Sequence, residues 1–133
     1  MAPPTAESDQ LQVELVAADR TVWSGQATMV VAKTAEGDIG VLRNHMPVLS
    51  LLVDGVVEIE PVDGERMYAA VDGGFLSVAN NRVSILSQFA ALSHEIDVAA
   101  ARAELESAQS EGDEGEERAK RAEVRIRAAE KAS

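Results

Sequence analysis

The 133-residue sequence contains no cysteine, which excludes disulfides, thiol nucleophiles and cysteine-based zinc sites. Aromatic residues are nearly as scarce, with Trp23, Tyr68, Phe75 and Phe89 making up the full set. Any core must therefore be assembled from Val, Leu, Ile and Ala. Basic charge is in deficit. Twelve Lys and Arg face 23 Asp and Glu, for a formal net charge of −11. That balance argues against nucleic acid as a partner, since phosphate contacts need a basic face. It also disfavours binding to anionic membrane surfaces. No apolar run approaches the ~18 residues of a membrane-spanning helix, so direct membrane insertion is not expected. The stretch from Met1 to Gln10 has neither a positive region nor an apolar one. It reads as a flexible lead-in, neither secretory signal nor transit peptide, and a cytoplasmic placement is expected.

What is present falls into two regions of different period. From Leu11 to about Leu92 the apolar residues alternate. Leu11, Val13 and Leu15 are interleaved with Gln12 and Glu14, and Val56-Val57-Glu58-Ile59-Glu60 and Val83-Ser84-Ile85-Leu86 read as further strands. Turn signals recur at Ser24-Gly25, Glu36-Gly37, Asp54-Gly55, Asp63-Gly64, Asp72-Gly73-Gly74 and Asn80-Asn81. This pattern predicts an all-β antiparallel sandwich of about nine or ten strands over residues 11–92.

After Leu92 the period changes to that of a helix. Ser93 offers itself as an N-cap, with His94-Glu95-Ile96-Asp97 as an acidic entry. Val98 to Gln109 and Glu116 to Lys131 are free of Gly and Pro, and a turn lies near residues 110–115. Residues 93–133 are thus expected to form an α-helical antiparallel hairpin. Its apolar stripe is thin: Ile96, Val98 and Leu105, then Val124, Ile126 and alanines. Such a pair is marginal alone, so it should be held weakly on the sandwich and be able to leave it. Charge divides the hairpin. Asp97 to Glu117 carries eight acids and one base, and Arg118 to Ser133 carries six bases and two acids. The second helix therefore suits either its acidic neighbour or an acidic surface elsewhere.

Catalytic motifs are not apparent. The two histidines, His45 and His94, lack H-x-x-H or H-E-x-x-H spacing, and structural roles are expected for both. No Ser lies in a nucleophile elbow, no phosphate loop is present, and Gly73-Gly74 is not followed by a helix. The expectation is a chain that is not itself an enzyme, without metal or cofactor.

The segment Gly37-Asp38-Ile39-Gly40-Val41-Leu42-Arg43-Asn44-His45-Met46-Pro47-Val48-Leu49 carries a resemblance. It resembles the G-E-x-G-x-L-x-x-H-x-P-x-L signature of the epsilon subunit of the bacterial F-type ATP synthase. A second block agrees, Gly73-Gly74-Phe75-Leu76-Ser77-Val78 followed by Asn81 and Val83-Ser84-Ile85-Leu86, and the likeness runs from Leu11 to Ala129. The resemblance implies a non-catalytic rotor subunit of the central stalk that binds the gamma subunit and the c-ring. It would couple proton flow to ATP synthesis at the cytoplasmic face of the bacterial membrane, as a peripheral protein. By matching position it implies c-ring or gamma contacts at Asp38 and His45, with Arg43 beside them, although Arg43-Asn44 stands where the family more often has Pro-Gly.

The resemblance further implies that basic residues of the last helix, here Arg118, Arg121, Arg125 and Lys131, meet acidic segments of the alpha and beta subunits and restrain ATP hydrolysis. That helix spans only about 27 Å. Some relatives bind ATP through I/L-D-x-x-R-A. Here Asp97 and Arg102 are the corresponding pair, but five residues separate them, which swings Arg102 nearly to the opposite side of a helix. ATP binding to the chain is accordingly not expected. Two readings from other classes stay open. One is a free-standing β-sandwich ligand-binding module with a helical dimerisation tail that associates through Leu105 and Ile126. The other is a small metal-dependent enzyme centred on His45.

Overall fold

The computed structural model describes residues 10–132. The lead-in assigned to Met1 to Gln10 lies outside them except for its last residue. The described chain runs through nine strands: β1 (Leu11–Val16), β2 (Thr21–Thr34), β3 (Gly37–Leu42), β4 (Val48–Leu52), β5 (Gly55–Pro61), β6 (Met67–Val71), β7 (Gly74–Ala79), β8 (Arg82–Leu86) and β9 (Ala90–Leu92). Two helices follow, α1 (Val98–Ser110) and α2 (Glu116–Ala132), each preceded by a short 3-10 turn.

Hydrogen bonding follows the path β1-β8-β7-β4-β2-β5-β6-β9, with β3 hairpinned onto β2. The 14-residue β2 is long enough to pair β1 with its first half and β3 and β5 with its second. Because β1 also pairs in parallel with β8, the path folds over into two layers, β1-β8-β7-β4 and β2-β5-β6-β9. Between them lie Leu11, Val13, Leu15, Val30, Val57, Ile59, Leu76, Val78, Val83 and Ile85, each no more than 1% exposed. This is the expected sandwich, and its core contains no fully buried aromatic ring.

The turn into β7 admits only glycine at position 74. Its φ is +115°, and a Cβ there would run into the carbonyl of Leu86. The next turn, Asn80-Asn81, places both residues at positive φ, 51° and 62°, the geometry of a tight hairpin whose twist matches the strands.

Strand β6 explains how the helices attach. Ala69 and Val71 point into the sandwich, while Ala70 points outward and is also fully buried. Ala70 and Val56 form a second apolar cluster with Ile96, Val124 and Ala128 of the helical region. The small Ala70 lets α2 approach the sheet closely. Ala101 and Ala108 on α1 and Ala122 on α2 are buried, and their small side chains allow a close approach of the helices. At the bend, Gly115 is buried where a Cβ would strike the carbonyl of Ala108. The antiparallel hairpin is therefore docked on the outer face of the β2-β5-β6-β9 layer.

The entry to α1 differs from expectation. Ser93–Glu95 is a separate 3-10 turn, Ile96 is extended, and Asp97 caps α1, its Oδ1 accepting from the amide of Ala100 at 3.0 Å. The acid expected inside the first turn, Glu95, is engaged elsewhere. It accepts from the amide of Leu92 at 2.9 Å and from both terminal nitrogens of Arg20 at 3.0 Å. Burial of Ile96 against Val56, Ala70 and α2 holds the chain extended there, so the helix starts later.

Candidate functional site

Three features outside the core concentrate the unusual chemistry of this chain. The first is an apolar row on the outer face of the layer opposite the hairpin. In the β4–β7 and β7–β8 registers Leu51 faces Phe75 and Phe75 faces Leu86, with Leu49 one step along β4. These side chains are 58%, 50%, 49% and 73% exposed, in the order Leu51, Phe75, Leu86 and Leu49. Period two places them there because Leu52, Leu76 and Ile85 occupy the inward positions. The sequence did not single out this row. The available signal was that β4 and β7 carry large apolar residues on both faces.

The second feature is the loop between β3 and β4. Asp38 is exposed on β3 and pairs in register with Lys33. The preceding turn is fixed by Thr34, whose Oγ1 donates to the Gly37 carbonyl at 2.6 Å and accepts from the Glu36 amide at 3.1 Å. Asn44 has φ 66°, a left-handed conformation that Asn tolerates better than most side chains. Here Asn does the backbone work for which glycine is commoner. The Asn44 amide donates to Oδ1 of Asn81 at 2.5 Å, tying the loop to the β7–β8 turn. His45 is half-buried. Its amide donates to the Leu42 carbonyl at 3.1 Å, and its Nδ1 lies 2.7 Å from the Met46 carbonyl. Asp38, Arg43 and His45 thus belong to one hairpin and its exit loop, with exposed Leu42 and Met46 beside them.

The third feature is a charged cleft of about 960 Å³ between sandwich and hairpin. Alanines and the charged groups Arg20, Asp72, Glu95, Glu104, Arg118 and Arg125 line it. The groups are mutually paired. Arg118 donates to Glu104 at 2.6 Å and to Glu111 at 2.7 Å, and these two carboxylates, Glu111 foremost, hold its guanidinium well above the ordinary range. Arg125 donates to Asp72 at 3.0 Å and lies over the Phe89 ring at 4.0 Å. Arg121 approaches Asp54 at 3.5 Å and Asp72 at 3.7 Å, and Lys131 sits 6.0 Å from the Tyr68 ring centre. All four basic residues expected to meet other subunits are therefore engaged within the chain. Arg20 holds the Glu95 carboxyl below the usual carboxylate range, with help from the Leu92 amide.

Asp97 and Arg102 are not brought together. Asp97 caps α1 and lines the cleft, whereas Arg102 is exposed and lies outside the lining. Leu105 and Ile126 are half-buried in the hairpin. Among the described residues no group of three or more His, Asp or Glu is placed to hold a metal ion. No helix among them is long and apolar enough to cross a membrane.

The architecture is thus a two-layer sandwich with a docked helical hairpin on one outer face and an exposed apolar row on the other. Residues 10–93 match the family model described as ATP synthase, Delta/Epsilon chain, beta-sandwich domain. The chain is 56% identical over 119 residues to the ATP synthase epsilon chain of Streptomyces avermitilis, covering 90% of this chain and 94% of that one. It is 54% identical over 99 residues to the ATP synthase epsilon chain of Corynebacterium efficiens, covering 74% and 80%. A chain of the Euglena gracilis mitochondrial ATP synthase, solved with OSCP, F1 and c-ring, superposes with a TM-score of 0.70 at 25% identity, covering 92% of this chain and 78% of that one. A chain from the central stalk and c-ring of the Tetrahymena thermophila enzyme shares the fold, with a TM-score of 0.56 at 20% identity and coverage of 92% and 95%. The chain belongs to the ATP synthase epsilon chain family.

Proposed function

We propose that this chain is a non-catalytic central-stalk subunit of a bacterial F-type ATP synthase. In this reading it binds the gamma subunit and the c-ring at the cytoplasmic face of the membrane and couples proton flow to ATP synthesis. The observation that carries it is the row Leu49, Leu51, Phe75 and Leu86, left bare on the face away from the hairpin. A rotor subunit has to be gripped by its neighbour along a rigid face, and a β-sheet with locked cross-strand pairs supplies one. The Asp38–His45 segment, braced by Asn81, is assigned to the c-ring or to gamma near the ring.

The hairpin is assigned a second task, restraint of ATP hydrolysis, through Arg118, Arg121, Arg125 and Lys131 against acidic segments of the alpha and beta subunits. The docked hairpin engages these four side chains internally, so restraint requires its release. The test is ATP hydrolysis by the assembled synthase, with the full chain and with a chain ending at Leu92. A rise on truncation supports the brake. Unchanged hydrolysis with the sandwich still co-purifying with gamma confines the chain to coupling. Failure of both forms to join the complex refutes the reading.

A further inference from the structure

The attachment of the hairpin is chemically lopsided. Its apolar part is small. Val124, Ala128 and Ile96 meet Ala70 and Val56 in a cluster separate from the main core. The charged contacts between α2 and the sandwich centre on the carboxylate of Asp72, with Asp54 beside it. Asp72, whose side chain is 10% exposed, takes Arg125 at 3.0 Å and Arg121 at 3.7 Å. Asp54 lies 3.5 Å from Arg121 on the other side. Phe89 lies under the Arg125 guanidinium, so that cation has its counter-charge in front and a ring face behind.

The position of Asp72 is fixed by its backbone. Its amide donates to the Phe89 carbonyl at 3.1 Å, and Ser87 Oγ lies 3.1 Å from its carbonyl oxygen and 2.8 Å from that of Phe89. The carboxylate is thus presented by the rigid β6–β7 turn and does not follow α2 if the helix moves. The pairing is also incomplete. Asp72 Oδ1 and Arg121 Nε are buried and make no hydrogen bond within the protein. A buried pair with atoms left unsatisfied is strong enough to hold but has less to lose on opening than a fully bonded one.

We propose that Asp72 is an electrostatic clasp, and that its engagement of Arg121 and Arg125 sets the fraction of chains whose hairpin is docked. The same two arginines serve either Asp72 or an acidic surface of another protein, never both at once. Docking and any partner contact by this face of α2 are therefore mutually exclusive, and the clasp is the point of competition. Arg121 and Arg125 keep 41% and 23% of their side chains exposed, so salt reaches the clasp, whereas it does not weaken the apolar cluster. This inference deepens the regulatory half of the function proposed above and rests on it for its consequence in the synthase, but not for its test in the isolated chain.

Because the chain has no cysteine, Glu14→Cys and Glu123→Cys give two unique exposed sites for spin labels, one on β1 and one on α2. Pulsed electron–electron double resonance then reads the ratio of open to docked hairpins. Asp72→Asn keeps the side chain's size and removes its charge, and is expected to raise that ratio about ten-fold at low salt and to flatten its salt dependence. Arg121→Gln with Arg125→Gln, which leaves the sandwich untouched, should do the same. Adding D72N to that pair should change the ratio by less than about two-fold. The proposal is overturned if D72N or the arginine pair leaves the ratio and its salt dependence at wild-type values, or if their effects add. In the assembled synthase, an open D72N hairpin with unchanged hydrolysis would sustain the clasp and refute the brake.

Discussion

Phe75 and Leu76 are neighbours on β7 that face opposite ways, and this makes them a pair of controls for one another. Phe75 is 50% exposed and Leu76 is fully buried. A fully buried Phe removes about 150–250 Å² from water, so roughly 100 Å² of Phe75 is available for a partner to cover. At about 25 cal/mol per Å² that amounts to about 2.5 kcal/mol of binding, of which Phe75→Ala forfeits about 2. Leu51, 58% exposed and facing Phe75 across the strand pair, adds about 1 kcal/mol. The double variant F75A/L51A should thus weaken binding to gamma by about 3 kcal/mol, on the order of 150-fold. Its cost to folding is smaller, because half of each side chain already faces water. Leu76→Ala reverses the pattern, costing about 2–5 kcal/mol of stability while leaving the outer face intact.

The assay is paired. Denaturant unfolding of the isolated chain gives stability, and titration against purified gamma gives affinity. Wild-type affinity of F75A/L51A for gamma, or a loss only in proportion to its unfolded fraction, would rule out a partner on this row. A row that stabilised the fold and met no partner would give the second result.

Asn44→Gly should keep the loop conformation, whereas Asn44→Ala at φ 66° should cost about 1 kcal/mol and loosen the tie to Asn81, read as faster amide exchange at residues 43–46. Glu95 is held below its ordinary range chiefly by Arg20, so its folded-state pKa lies under the unfolded value of about 4.3; its contribution is present above that pH and lost as pH falls through the folded value. Glu95→Gln should therefore lower stability at pH 7 and remove part of the acid sensitivity below about pH 4, measured by denaturant midpoints across pH. Gly115→Ala puts a methyl against the Ala108 carbonyl, so the helices should splay and the amides of α1 and α2 should exchange faster while those of β1 to β9 keep their protection.

How far the sequence carried differs by element, and the reason is physical. Strands β1 and β8 were legible because one face is buried and the other largely exposed, so period two is written into Leu11, Val13 and Leu15 and into Val83 and Ile85. Strand β6 was not legible in that way. Ala69, Ala70 and Val71 are all buried because the core takes one face and the hairpin takes the other. The N-cap was misplaced from Asp97 to Ser93 because a run of acids looks alike whether its carboxylates serve the helix or, as with Glu95, a distant Arg20. The candidate loop was readable from its glycines, His45 and Pro47, since turn chemistry is local. The brace from Asn81 to Asn44 spans 37 residues and could only be seen in the folded chain. The charge division of the hairpin was plain in the sequence, but not its target. Asp54 and Asp72 read as turn acids, and nothing local distinguishes an acid that ends a strand from one that receives two arginines. The two outer faces of the sandwich differ accordingly. The row on β4, β7 and β8 is apolar and lies on a rigid sheet, suited to an attachment that is never broken. The contact under α2 joins a small apolar cluster to a charged group that is only partly satisfied, suited to one that is. Because they lie on opposite layers, releasing the second leaves the first in place.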